Sequence, residues 1–430
     1  MDKDTNKILI QKATLDGQST DLLIEGNRIA RIAPSIVPTP EMQLIDGNHK
    51  AIVPGMYNCH THSAMTYFRG FGDDLNLMDW LEGYIWPVEA HLTPEDVYWG
   101  SKLACLEMIK SGTVAFLDMY TFPLSTARAV EEMGLRAVLS YTLFDRDDPE
   151  RAALDRRQSY EYYEKFKEFS DRINFSIGPH AIYTVSGSQL QFCHRFAEEK
   201  NVLIHLHLSE TQGEWQEAVD KYGLTPVRYL HKLGILSPHL VLAHGVWVDE
   251  EEMDLLAAHG CKVVHNPASN LKLASGYRFL YEEMRKRGIL VGLGTDGTSS
   301  SNNLDMYRAM HLAALMGKAW RSNPTAVKAA DIYRTATADG ATIMGIDAGI
   351  IAEGKLADLC LVDLKKPEMV PCHNLVSNLV YSASGSAVVD TTIVDGKVLM
   401  LHGKIEGEDE IIDKAAKVAY NLIAKAGIRQ

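Results

Sequence analysis

The stretch VPGMYNCHTHSAM, residues 53–65, decides how the rest of the chain is read. It leaves a short apolar run and places His60 and His62 two residues apart, between Cys59 and Ser63. Side chains two apart on a strand share a face. Both imidazoles therefore crowd one side of a strand otherwise suited to burial. Two hydrogen-bonded core histidines are one explanation, and a pair of metal ligands at a strand end is the other. The residues downstream separate the two.

Strand-like runs recur after this point: MYNCHTH, TVAFLDMY, RAVLSYTLF, NFSIGPHA, NVLIHLHLSE, LVLAHGVWV, CKVVHNPAS and LVGLGTDG. Helical stretches lie between them. In TPEDVYWGSKLACLEMIKSG, Thr93 suits an N-cap and Gly112 a C-terminal stop. Strands alternating with helices through eight repeats predict a (β/α)8 barrel of the TIM type. A doubly wound sheet would use fewer strands, and no glycine-rich dinucleotide fingerprint follows the early strands.

The chain ends have a different character. KILIQKATL, TDLLIEGNRIARIAPS and MQLIDGNHKAIVPG at the start, and IAEGKLADLCLVDL and VVDTTIVDGKVLMLHGKI near the finish, are strand-length runs bounded by turn residues. They predict one small β-domain, a β-sandwich built from residues 1–54 and 351–430, with the barrel over residues 55–350. A closing helix, DEIIDKAAKVAYNLIAKAG, has apolar residues at helical spacing. The connection from Ser63 to Leu92 is long and aromatic. It follows the first barrel strand directly, where binding loops and lids are built.

Ionisable residues recur at the C-terminal ends of the barrel strands, the end where barrel active sites form. His60 and His62 end the first strand, His180 the fourth, and His205, His207 and Glu210 the fifth. His244 ends the sixth, His265 the seventh and Asp296 the eighth. Histidines placed at random would rarely fall on so many separate strand ends. His60, His62, His207 and Asp296 offer three imidazoles and one carboxylate, a donor set that suits Zn²⁺, with Fe²⁺ as the alternative. Zinc lowers the pKa of a bound water to about 7. Glu210, close to His207, is placed to move a proton, and His244 and Asp296 to orient the water. The pattern points to metal-assisted hydrolysis. Cys59 is expected on the opposite face of its strand. His205 shares a face with His207 without being an expected ligand, and His265 suits a structural or supporting place. Phe68 and Trp86 suit lid packing as well as base stacking, and His91 suits the start of a helix.

Composition bounds these readings. With 430 residues, 46% hydrophobic and 23% charged, the chain has room for one large domain and a smaller one. A formal net charge of −13 argues against a nucleic-acid polymer as partner and leaves a small molecule as substrate. The six cysteines form no CxxC pair, as expected of reduced thiols in a cytoplasmic protein. No run reaches the roughly 18 apolar residues needed to span a bilayer, and the first residues lack a signal-peptide core.

PGMYNCHTH, WPVEAHLTPEDVYWGSKLACLEMIKSGT, GPHAIYT, HLHLSET, AHG, HNPASNLKLASG, GTDG and EGKLADL occur in order over nearly the whole length. In this ordered set the chain resembles the amidohydrolase superfamily and, more narrowly, its 5'-methylthioadenosine/S-adenosylhomocysteine deaminases. The resemblance implies one zinc per subunit, held by His60, His62, His207 and Asp296, in a cytoplasmic homo-oligomer. It implies Glu210 as proton shuttle, His244 beside the water, Glu89 on ribose hydroxyls and His180 against the nucleoside. Binuclear relatives carry a carboxylated lysine at the end of strand four, and NFSIGPHA has none, which favours a single metal. Relatives that accept S-adenosylhomocysteine have an arginine late in strand three. Tyr141 stands at that place here, with Arg146 close by as the alternative source of the missing charge, so methylthioadenosine or 5'-deoxyadenosine is expected ahead of S-adenosylhomocysteine, with adenosine also a candidate substrate. The alternative within the superfamily is an s-triazine or pterin aminohydrolase or chlorohydrolase, for which a ribose-binding Glu89 has little purpose. A non-enzymatic barrel that has lost its ligands is a further alternative, which the intact ligand set argues against.

Overall fold

The computed structural model describes residues 7–428. The chain begins with five strands, β1 Lys7–Leu15, β2 Gln18–Glu25, β3 Arg28–Ala33, β4 Met42–Asp46 and β5 Lys50–Pro54. Eight more follow, the first one residue after β5 and the others after helical or irregular connections: β6 Met56–Thr61, β7 Thr113–Tyr120, β8 Arg136–Leu143, β9 Ile173–Pro179, β10 Leu203–Leu208, β11 Leu240–His244, β12 Lys262–His265 and β13 Leu290–Leu293. Three complete the set, β14 Leu359–Asp363, β15 Val389–Val394 and β16 Lys397–Met400.

Strands β6 to β13 pair in sequence order and all in parallel. That is the expected barrel. Side chains close the seam between its last and first strands. Asn58 donates to Thr295 Oγ1 at 2.7 Å and accepts from the Thr295 amide at 3.1 Å. The Asp296 amide then donates to the His60 carbonyl at 3.0 Å. The same hydrogen bonds that close the barrel thus set Asp296 beside His60.

The end strands form one mixed sheet, ordered β16-β15-β14-β5-β1-β2-β3, with β4 also on β1. Antiparallel pairing of β14 with β5, Leu359 opposite Pro54, joins the two ends of the chain. The sheet forks at β1, which takes β4 over Lys7–Gln11 and β5 at Thr14 on the edge away from β2. Isoleucines and leucines from both ends, among them Ile8, Ile10, Ile24, Leu359 and Ile393, share a core there.

Local signals explain the helix that follows the long connection. It runs Pro94–Lys110, with Thr93 and Asp96 capping each other's amides and Gly112 in the left-handed region at φ +79° beyond its end. The connection itself folds into short helical turns over Ser63–Phe68, Leu77–Trp80, Leu81–Ile85 and Trp86–Glu89. Phe68 is fully buried in a separate apolar cluster with Phe71, Trp80 and Val88. Ala415 and Leu422 of the final helix, Glu408–Ala426, join that cluster. The final helix therefore packs on the lid and the barrel rather than in the core of the small sheet. Among the described residues, no helix is long and apolar enough to cross a membrane.

Candidate active site

The barrel strands deliver His60, His62, His207, His244 and Asp296 to one mouth. Alternation along β6 sends Asn58 and His60 inward, while Cys59 faces the outer helix at Gly340. Both His62 and His207 are oriented by backbone carbonyls. His62 Nδ1 donates to Met119 O at 2.6 Å and His207 Nδ1 to His180 O at 2.8 Å. Each ring therefore carries its proton on Nδ1 and turns Nε2 into the site. The two Nε2 atoms stand 3.2 Å apart, and Asp296 Oδ1 lies 3.2 Å from that of His62 and 3.3 Å from that of His60.

Three ring nitrogens and a carboxylate oxygen converging at this distance form a donor set that suits either a shared proton or a cation. Burial pushes His60 down to about 4 and holds His207 well below the ordinary imidazole range, so both rings are neutral, the form that ligates metal. Burial also lowers His62, but the Asp296 carboxylate more than offsets it and holds the ring up to about 9. Burial raises Asp296, yet its two imidazole neighbours keep it well below the usual carboxylate range. His60 Nε2 is fully buried and faces only the Asp296 carboxylate, 3.3 Å away, so a cation shared by the two would satisfy both. The donor set thus fits a metal, and two overlapping groups, His60–His62–His207 and His60–His244–Asp296, could hold one.

The residues around this cluster are fixed in turn. Asp296 has φ +60° and accepts from the Gly297 amide at 2.8 Å and from Ser300 Oγ at 3.2 Å. His60 Nδ1 lies 2.8 Å from His205 Nε2, so His205 is a support for His60. Spacing placed His205 on this face, and only the packing shows its partner. The Asn270 amide donates to His244 Nδ1 at 3.0 Å, which leaves the His244 proton on Nε2, 3.6 Å from Glu210 Oε2. Ser275 Oγ donates to Glu210 at 3.3 Å, and burial raises the Glu210 carboxyl above its ordinary value. Asn270 and Ser275 carried no spacing signal of their own.

A cavity of about 420 Å³ opens over these groups. Glu89 lines it and accepts from Tyr120 OH at 2.6 Å. Burial pushes Glu89 up to about 6, against the lowering effect of that hydrogen bond. His180 lines it too, stacked on Phe144 with centroids 4.3 Å apart. Trp80, Leu81, Ile85 and Trp86 of the lid supply an apolar wall. Trp86 is therefore a cavity residue and Phe68 a packing one. His265 stands apart, stacked on Phe279 at 4.0 Å, and His91 is exposed.

The far wall carries Tyr141 but not Arg146. Arg146 does not line the cavity, and its guanidinium lies 5.2 Å from the Trp86 ring. The arginine that lines it is Arg151, whose Nε contacts Asp155 at 3.0 Å. Sequence proximity singled out Arg146, but its left-handed turn, φ +47°, and the capped helix Pro149–Phe166 bring the later arginine inward. Tyr141 does line the cavity, with its hydroxyl 2.6 Å from Gln158 Oε1 and its ring stacked on Tyr162.

A model described as the amidohydrolase family matches residues 51–399. A 5-methylthioadenosine/S-adenosylhomocysteine deaminase of Archaeoglobus fulgidus is 44% identical over 423 residues, 98% of either chain. A 5'-deoxyadenosine deaminase of Methanothermobacter thermautotrophicus is 45% identical over 93% of this chain and 94% of its own. Among solved structures, an adenosine deaminase from Xanthomonas campestris with bound zinc has a TM-score of 0.90 at 30% identity, covering 97% of this chain and 98% of its own. An atrazine chlorohydrolase from Arthrobacter aurescens, complexed with zinc, has a TM-score of 0.87 over 96% and 100%. At 22% identity, its likeness is one of fold.

Proposed function

The chain belongs to the amidohydrolase family, and from that premise we propose that it is a zinc-dependent deaminase of adenine nucleosides. The proposed reaction adds water to the purine carbon that bears the amino group and releases ammonia and the inosine analogue. The observation that carries this reading is the meeting of four metal-fitting donors with Glu210, His244 and Glu89 around one cavity. A metal cofactor agrees with the family and with the donor set. Zinc, one ion per chain, is our choice for nitrogen and oxygen donors of this kind, with iron as the alternative.

Held by His60, His62, His207 and Asp296, such an ion supplies a water acidified to a pKa of about 7. Glu210 then does the proton work. Burial makes it a stronger base than a free carboxylate. It takes a proton from the attacking water and gives it to the ring nitrogen beside the reacting carbon. As the carbon–nitrogen bond breaks, the second water proton leaves with the amine. The His244 Nε2 proton faces Glu210 and steadies its charge. Glu89, with Tyr120 on one oxygen, keeps acceptor capacity for ribose hydroxyls. His180, made neutral by burial, offers a flat polar edge to the nucleoside.

The 5'-substituent would meet the Tyr141 wall. The Tyr141 hydroxyl is already engaged, and the Arg151 charge is balanced by Asp155. This favours neutral tails, those of methylthioadenosine and 5'-deoxyadenosine, over the amino-acid tail of S-adenosylhomocysteine. A charged bidentate contact exceeds a neutral one by about 1–2 kcal/mol, roughly 5–30-fold in kcat/KM. Ammonia release from adenosine, methylthioadenosine, 5'-deoxyadenosine and S-adenosylhomocysteine tests both levels. No release from any of the four ends the deaminase reading. A wild type that prefers S-adenosylhomocysteine, and loses that preference in Arg151→Ala, ends the tail reading alone. The triazine reading has less support, because that likeness is one of fold and Glu89 has no role in it.

A further inference from the structure

The side chain that carries the proton stands on a strained turn. Ser209, between the end of β10 and Glu210, is buried with φ +52°, a region that residues bearing a Cβ seldom adopt. This turn brings Glu210 back over the barrel mouth, within 3.6 Å of His244. On its carbonyl side the turn is held by the amides of Val246 and Trp247, both 2.9 Å from Ser209 O. On its amide side it is held by one carboxylate. The Ser209 amide donates to Glu214 Oε1 at 2.9 Å and the Glu210 amide to Glu214 Oε2 at 2.8 Å.

Glu214 stands on the first turn of the helix Gln212–Tyr222, where an acidic residue three places after the cap is common. At two other helices of this chain such a residue returns to the amide of its own cap. Asp96 does so to Thr93 at 2.9 Å and Glu252 to Asp249 at 3.0 Å. Here Thr211 caps the Glu214 amide at 3.0 Å, but the Glu214 carboxylate reaches past Thr211 to the two preceding amides. Burial pushes the Glu214 carboxyl up to about 8 against the lowering effect of these two amides, and a carboxyl group with both oxygens on consecutive amides fixes the direction of the backbone between them.

We propose that Glu214 is a positioning residue for the proton carrier, holding the 209–210 turn so that the Glu210 carboxylate meets both the attacking water and the substrate. The proposal rests on the reading of Glu210 given above. Glu214→Gln keeps the shape but turns an amide NH₂ towards one of the two backbone N–H groups. Misplacement of a reacting group by about 1 Å costs up to about 100-fold. The expected result is a kcat lowered about 10- to 100-fold per metal-loaded site, with KM within about threefold and metal content unchanged. In a Glu210→Gln background the same change should cost less than about twofold, because there is no carrier left to misplace.

Glu214→Asp, one methylene shorter, is measured the same way per bound metal, so poor folding of one variant does not end the test. Glu214→Gln and Glu214→Asp activities within twofold of wild type overturn the proposal. So does an equal loss with and without Glu210, or loss of metal in both variants. A Glu210→Gln enzyme that stays active overturns instead the role of Glu210 itself.

Discussion

His62 and His207 aim their Nε2 atoms at each other across 3.2 Å because both Nδ1 protons are tied to carbonyls. Replacing His60 or His62 with Ala should therefore remove bound metal and activity while the barrel stays folded. Metal analysis beside circular dichroism checks this, and full metal content in both variants would reject the ligand assignment. Glu210→Gln keeps the shape but cannot take up a proton. Its kcat should fall about 10²–10⁴-fold with metal retained. Glu89 gives a pH test. With its carboxyl pushed up to about 6, it is protonated below that pH and a full acceptor above it. The kcat/KM for nucleosides should rise through about pH 6 and level off. Glu89→Gln should lose that limb and raise KM, and an unchanged limb would assign the titration to another group.

Among the elements, the seam between β13 and β6 links stability to the site. Asn58 makes two side-chain bonds across it, Thr61 Oγ1 donates a third to the Asp296 carbonyl at 3.1 Å, and the Asp296 amide in turn bonds the His60 carbonyl. Asn58→Ala leaves buried partners unsatisfied, which costs about 1–3 kcal/mol. We expect a lower thermal midpoint together with weaker metal retention under a chelator. A lower midpoint with unchanged metal retention would separate the seam from the site. The lid is tied in as well, with Lys272 contacting Asp73 and Asn302 at 2.5 Å. That cross-link runs from the connection after β12 to the one after β6.

For the molecule as a whole, Arg136 is the polar bolt between barrel and sheet. It starts β8, and its guanidinium contacts Asp358 and Asp395, each at 2.7 Å. Its side chain is 7% exposed and that of Asp358 is 0% exposed. Removing one partner of a buried pair costs about 3–5 kcal/mol, because the other charge is stranded. Arg136→Met should lower the unfolding midpoint accordingly, yet leave kcat per folded molecule unchanged, since the pair lies at the strand ends away from the mouth. A variant as stable as wild type would show that the bolt is dispensable.

Much of this was written in the chain's local patterns. Strand-length apolar runs alternating with helical stretches specified the barrel, because parallel strands buried on both faces need helices to cover them. Histidines at i and i+2, at the end of β6 and on β10, fall on shared faces, so the candidate donors could be gathered before the fold was known. Nothing in the sequence reading pointed to Glu214, because the direction of its carboxylate depends on a left-handed Ser209. Contacts between segments far apart in the chain were decided by tertiary structure alone. Asn270 on His244, Ser275 on Glu210, Arg151 rather than Arg146 in the cavity, and the final helix under the lid are of this kind. Spacing along a chain determines which side chains share a face. Which face another meets depends on how loops turn and helices pack, and no local pattern records that.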